Sequence, residues 1–410
     1  MLRGGYGIYY GRIINSTIFN ALINTAAPGS QVSLSFTPTT AGAPVFPAIK
    51  TSLTGVGRNA VFFDPHFQNP QIHQVDLTLE HQFGWNTVVK VSYLGSFGRE
   101  LPGFADTNIA PSAQNVTYTL FNGGPLPGPT FTQPLFLTRL NPAFGSLTDI
   151  FSGINSRYDA FVVQVNHRFS HHLQFSVNYT RSRSQDFGQN ESTFSDTNDL
   201  LVPFQIAPEK GPSIYDTPYR IVANAIATSP WKVNGWAGWL ANDWEFAPIY
   251  QIQSGLPFSL TTAGTPGVIT GTSGVNAALV NGIGSGINGS GGANRIDAIG
   301  RNSFRNPGIW VSDLRLGKSF KFREHYELEV TGDFFNIANK QNVTGINNTG
   351  YIVSNPSVNS TTKVVSPCAV GVPTTNSCLT FSSSFGSITN SNSNFQYTPR
   401  QVQLGARIKF

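Results

Sequence analysis

The sequence predicts an all-β fold, an antiparallel β-barrel of about ten strands crossing a membrane, and three observations lead there. Apolar and polar residues alternate with period two through most of the chain, while helical periodicity is almost absent. Short and long connections between the alternating segments take turns along the chain. Charge is sparse, at 11% of residues against roughly a quarter in ordinary soluble domains, yet aromatics reach 12% and the mean hydropathy is only −0.11. Asn, Ser, Thr, Gln and Gly replace the missing charge. That composition suits a wall that is apolar outside and polar inside. It does not suit disorder, which has few aromatics and high net charge.

The elements follow in order. Leu2–Tyr10 is a Gly/Tyr-rich strand. In Gln74–Phe83, Val75, Leu77, Leu79 and Phe83 share one face. Val89, Val91 and Tyr93 do so in Thr87–Gly95, and Phe161, Val163, Val165 and Phe169 in the segment 161–169. Leu173, Phe175, Val177 and Tyr179 form the next apolar face. Tyr219–Thr228 puts Ile221, Ala223, Ala225 and Ala227 together. Asn242–Gln253 contributes Trp244, Phe246, Tyr250 and Ile252, and Trp310–Phe320 contributes Trp310, Leu314, Leu316 and Phe320. "YELEVTGDF" sets Tyr326, Leu328, Val330 and Phe334 against Glu327, Glu329, Thr331 and Asp333. The last strand, Arg400–Phe410, sets Val402, Leu404, Ala406, Ile408 and Phe410 against Gln401, Gln403, Gly405, Arg407 and Lys409. Each is near the ~9–11 residues that cross a bilayer at a tilt.

"FGWN" (Phe83–Asn86), "SHH" (Ser170–His172), "KFREH" (Lys321–His325) and "PWKVNGWAGW" (Pro230–Trp239) are the short connections. The segments 12–70, 99–157, 186–217, 254–309 and 340–397 are the long ones, far beyond the ~2–5 residues of a hairpin loop. A sandwich has no reason to alternate in this way. A membrane barrel does, with short periplasmic turns on one rim and long extracellular loops on the other.

The net charge of +5 is scattered, so no basic footprint for nucleic acid exists. No apolar run approaches the ~18 residues of a membrane helix. The N-terminus lacks a signal-peptide core, which taken alone would mean cytoplasm, against the lipid-type faces. Cys368 and Cys378 flank a Pro/Gly-containing loop, which suits a local disulfide in an oxidising compartment; two free thiols are the other reading. A metal site there is disfavoured, with no histidine nearby.

Little in the chain carries chemistry. Glu327, Glu329 and Asp333 could do acid/base work, but with Arg407 and Lys409 they are expected on a polar lumen face. His66, His73, His81 and His171–His172 lack convergent ligand spacing. "GIGSGINGSGG" (Gly282–Gly292) has no phosphate-loop lysine and reads as a flexible surface loop. Trp231, Trp236 and Trp239 suit an aromatic girdle, with sugar stacking the alternative. The expectation is no enzyme, no cofactor and no metal.

Two resemblances add to this. Gln403, Gly405, Ile408 and Phe410 resemble in register a β-signal, the C-terminal address read by the barrel assembly machinery. Longer stretches resemble the Oar-like TonB-dependent receptors: "LRGGYGIYYGR", "NPQIHQVDLTLEHQFGWNTVVKVSYLGSFGRELP", "YDAFVVQVNHRFSHHLQFSVNYTRSRSQD", "QSGLPFS", "GRNSFRNPGIWVSDLRLGKSF" and "DFFNIANKQN". The resemblance implies outer-membrane location, contact with outer-membrane lipid, and energised transport of an unidentified large substrate. It makes residues 1–410 the C-terminal part of a barrel of about 22 strands. The family's plug domain, TonB box and signal peptide are not in this sequence, so coupling to the TonB complex would run through a missing N-terminal part. The other expectation is a small stand-alone barrel, a passive pore or an adhesion protein. If the chain is a portion, its first and last strands leave open edges.

Overall fold

The structure is a computed structural model. It describes all residues except 28–29, 31–44, 46, 48–57, 113, 189–199, 323–325 and 394–397. Ten strands form one antiparallel meander: β1 (Leu2–Tyr10), β2 (Gln71–Phe83), β3 (Thr87–Asp106), β4 (Phe144–Ser170), β5 (Leu173–Asp186), β6 (Tyr219–Thr228), β7 (Trp244–Gln253), β8 (Ile309–Phe322), β9 (Tyr326–Phe335) and β10 (Gln401–Lys409). Each pairs with its neighbours in sequence. Among the described residues β1 pairs only with β2 and β10 only with β9, so the wall has two edges.

All ten expected strands are present, and the middle ones run further than the alternation indicates. β4 continues below Phe161 in number, back to Phe144. The apolar alternation fades there because this part stands above the membrane and packs on protein. The "FGRELP" stretch marks the change. β3 bulges against β4 between Gly98 and Leu101, and Glu100 takes φ +53°. A Cβ at Gly98 would meet Ser156 Oγ at 2.3 Å and Leu101, so a side chain there would have to displace both where the strands bend.

The turns match the short-rim expectation with one difference. Trp85 and Asn86 (φ +59° and +57°) and His171 and His172 (φ +48° and +66°) make tight turns in the left-handed region. "PWKVNGWAGW" is not a tight turn: it contains a short helix, Trp236–Ala241. Trp231 Nε1 donates to the Ala241 carbonyl at 2.7 Å and Trp244 Nε1 to Leu240 at 2.8 Å. Most of the "KFREH" turn lies outside the described residues.

The long connections are not plain loops. Three of them build one mixed five-stranded sheet, in the order 261–263, 349–354, 377–381, 114–121 and 130–135. These segments come from the β7–β8, β9–β10 and β3–β4 connections. Tyr118, Tyr351, Ile287, Ile296 and Leu379 are fully buried in its core, with Val116, Leu135 and Leu260. The first connection holds a helix, Asn15–Ile23, and a strand, Arg58–Phe63, that extends β4 in parallel.

The glycine-rich stretch 282–292 corrects its expectation. It is packed: Ile287 is fully buried, and Tyr118 Oη donates to its carbonyl at 2.5 Å. A Cβ at Gly282 would meet the Gly289 backbone at 2.5 Å, and one at Gly284 would meet Gly291 at 2.4 Å. The glycines permit two backbone segments to touch. Glycine content alone cannot distinguish that from a flexible linker.

Candidate functional site: a two-faced wall under a packed loop layer

Residues directly opposite in an antiparallel pair share a face, so the register propagates two faces across the whole wall. One face holds Leu79, Val91, Val163, Tyr179, Ile221 and Ile252, linked pair by pair, with Leu314, Leu316, Leu328 and Ile408 beyond them. No protein layer covers this face: Val91, Val163, Ile221, Leu314, Leu316 and Leu328 are half-buried by their neighbours in the sheet, while Leu79 is 56% exposed and, on the same face, Phe246 46% and Leu404 78%. An accessible apolar sheet face on this scale is a lipid-facing surface. One cation lies on it near the short rim, Lys318, and it is tucked against the Trp244 and Phe320 rings with its ammonium on the Asn242 carbonyl.

The opposite face is polar and ion-paired. Glu327, Glu329, Asp333, Arg407 and Lys409 all lie on it, the side a barrel turns to its lumen. Lys409 Nζ reaches Glu327 at 3.3 Å and Glu329 at 3.0 Å, and Arg315 grips Asp333 through Nε at 2.6 Å. Arg407 stands opposite Glu329. At the other edge Arg3 and Lys90 meet Glu80 at 2.9 and 3.4 Å. A cavity of about 390 Å³ lies along this face, lined by Asn224, Ile249, Asp313, Arg315, Asp333 and Phe335 among others. Gln403 and Gly405 of the β-signal pattern point to the polar side; Ile408 and Phe410 continue the apolar one, on the edge strand, Phe410 being 96% exposed. Trp239 packs tilted against Phe320 (4.8 Å) and edge-on against Phe322 (5.9 Å) at the short-turn rim, where a girdle belongs.

Above the wall, three connections are held by arginines and amides that sequence reading passed over. In "GRNSFRNPG", Arg301 forms a buried ion pair with Asp186, and its Nε donates to the Glu209 carbonyl at 2.7 Å. Arg295 pairs with the Glu209 carboxylate, which also accepts from the Leu201 N–H at 2.6 Å. Burial pushes the Glu209 carboxyl up from its ordinary range, with Arg295 pulling it back, and burial lowers Arg295. Arg305 reaches Asp216 at 2.6 Å. The strand pair 257–258 with 304–305 joins "QSGLPFS" to this stretch, Phe258 against Phe304. In "DFFNIANKQN", Asn336 and Asn342 are buried; Asn342 exchanges two bonds with the Trp310 backbone, both 3.0 Å. The available signal was three arginines within eleven residues of a charge-poor chain.

Cys368 and Cys378 form a disulfide in this layer, with Cα atoms 5.8 Å apart. The histidines are separate: His73 accepts or donates with Tyr6 Oη at 2.6 Å, His81 packs edge-on against Phe83, and His172 meets Thr228 at 3.2 Å. Among the described residues no group of three His, Cys, Asp or Glu side chains could hold a metal.

This geometry agrees with the family comparison. The outer membrane beta barrel domain model matches residues 1–403. The chain belongs to that family. It is therefore an outer-membrane protein, and its wall is the barrel. No curated protein matches it. Among solved structures, it is similar to the outer membrane transporter YddB from Escherichia coli, with TM-score 0.43, 11% identity, and coverage of 93% of this chain and 37% of that one. It is also similar to the FrpB iron transporter from Neisseria meningitidis, with TM-score 0.37, 9% identity, and coverage of 86% and 33%. The chain spans about a third of the length of either structure.

Proposed function

We propose that this chain is part of the barrel of an Oar-like TonB-dependent receptor, which moves a large substrate across the outer membrane with energy supplied through TonB. The observation that carries this reading is the pair of unpaired edges. In hydrocarbon every backbone N–H and C=O must be paired, each orphan costing several kcal/mol. β1 and β10 leave one row each unpaired among the described residues. Further strands beyond β1 and β10 would satisfy both rows and widen the lumen to hold a plug. The ion-paired polar face supports the same reading, since such a face needs a wet or protein-filled interior. The family resemblance supplies the TonB coupling and the transport.

The architectural test is a cysteine pair across the seam, Tyr6→Cys with Leu404→Cys, in the protein as it stands in the outer membrane. The larger barrel predicts no intramolecular disulfide under mild oxidation. Efficient formation would mean that ten strands close on themselves, the geometry of a small stand-alone pore or adhesion barrel. The functional test is planar-bilayer conductance of the purified gene product. A plugged receptor shows no steady channel, whereas a passive pore shows a persistent ohmic one.

A further inference from the structure

We propose that the outward face of β4 and β5 carries a binding site for a phosphorylated glycolipid of the outer leaflet. The inference rests on the long-connection rim being the external one. On this face the apolar rows end at a level that the register fixes. Val91, Val163, Tyr179 and Ile221 form one row; Tyr93, Phe161, Arg181 and Tyr219 form the next; Gly95, Asp159 and Arg183 the next; Phe97, Arg157 and Gln185 the last. From the turn at Ser170 to Phe161 the strand climbs about 30 Å at the usual rise, or about 23 Å of height at a barrel tilt near 40°. That is close to the ~25 Å apolar band of such barrels. The row of Tyr93, Phe161 and Tyr219 thus stands where the outer aromatic girdle belongs, and Arg181, Arg183 and Arg157 begin at headgroup height.

Three guanidiniums face one carboxylate there. Asp159 takes Arg157 through Nε at 2.6 Å and Nη2 at 3.2 Å, and also accepts from Tyr93 Oη at 2.7 Å. Arg157 is further held over the Phe97 ring at 5.5 Å. Arg181 uses one nitrogen on the Pro218 carbonyl at 3.3 Å. Arg183 stands opposite Asp159 and is exposed. On the neighbouring strand Arg99 is exposed two residues above Phe97, next to Glu100 in the bulge. The cluster therefore keeps a surplus positive charge turned toward the bilayer. Outward cations are costly in hydrocarbon but nearly free at the interface, and guanidinium forks match phosphate bidentately. Phosphates on a sugar headgroup at that height would meet these guanidiniums, with Tyr219 level with Arg181 and Tyr179 one row below it at the acyl and sugar junction.

The test is native mass spectrometry of the gene product extracted from outer membranes, comparing the parent with R157Q/R181Q/R183Q, with single R183Q, and with R168Q on the polar face near the short rim. Heat-modifiable migration reports folding, and external labelling of a cysteine placed at the exposed Val275 reports orientation. The expected result is a drop in bound glycolipid of about fivefold for each guanidinium removed, no drop for R168Q, and loss of binding when the parent is exchanged into phosphatase-treated glycolipid. Undiminished lipid in folded, externally labelled R183Q or in the triple variant overturns the inference, as does equal binding of the dephosphorylated lipid. If Val275 labels only after lysis, the orientation fails instead, and with it the premise. Should the triple variant not fold, R183Q alone decides.

Discussion

The wall and the loop layer are held together in opposite ways. The wall has no interior: its apolar side chains stand in the open, awaiting lipid, and its strength lies in continuous backbone ladders. The loop layer has a conventional core. Every one of the largest fully buried side chains, from Tyr118 and Tyr351 to Ile287 and Leu379, sits in a connection or in a strand extension above the membrane. The lesson is that the bilayer stabilises the first and packing the second, so a single chain contains two independently perturbable regions.

Arg301→Ala should give the largest separation between them. It leaves Asp186 buried without its counter-ion and frees the Glu209 carbonyl, at about 3–5 kcal/mol. Limited proteolysis should then cut the 186–217 and 254–309 connections much faster, while heat-modifiable migration of the wall persists. Loss of the wall as well would show that the two regions are one cooperative unit.

Next, Val163→Arg places a cation in the middle of the apolar face and should cost about 2–4 kcal/mol of barrel stability in urea titrations from liposomes. Asn178→Arg, on the polar face one strand away, should cost almost nothing. Equal costs would erase the distinction between the faces.

Reduction of Cys368–Cys378, or replacement of both by serine, should weaken the loop layer by about 2–3 kcal/mol, as expected for a short closed loop. The wall should not respond. Protease sensitivity of the connections followed across a thermal ramp would read this.

The smallest effect concerns pH. Asp149 lies on the part of β4 above the membrane. Burial, and then the Asp64 charge, push its carboxyl up to about 6. Its folded value exceeds its unfolded one, so the protonated form favours the folded state. The contribution is full below the ordinary carboxylate range and is lost as pH rises through about 6. The loop layer should therefore loosen slightly between pH 4 and about 6, and Asp149→Asn should flatten that slope.

The same contrast explains what was legible in the sequence. Wall strands such as Tyr219–Thr228 and Tyr326–Phe335 were readable because one local rule, period two, sets their faces; nothing distant is needed. The charged face of β9 and β10 was readable for the same reason. The loop-layer sheet was not, because its strands are three to eight residues long and come from three connections. Their pairing, such as Ser377 with Tyr118, depends on segments more than two hundred residues apart. Gly282–Gly292 illustrates the limit: a backbone-on-backbone contact and a free linker demand the same residue. The His171–His172 turn was legible without the Asn-Gly signal of a tight hairpin, because the alternation on either side leaves only Ser170–His172 to connect the strands.

The most direct test of the two-faced wall is nitroxide scanning of Tyr326–Phe335 in the gene product reconstituted into bilayers, with collision by oxygen and by a water-soluble nickel chelate. The account predicts a period of two: high oxygen access at 328, 330 and 334, and high nickel access at 327, 329, 331 and 333. Uniform access along the strand, or an alternation of the opposite phase, would contradict it.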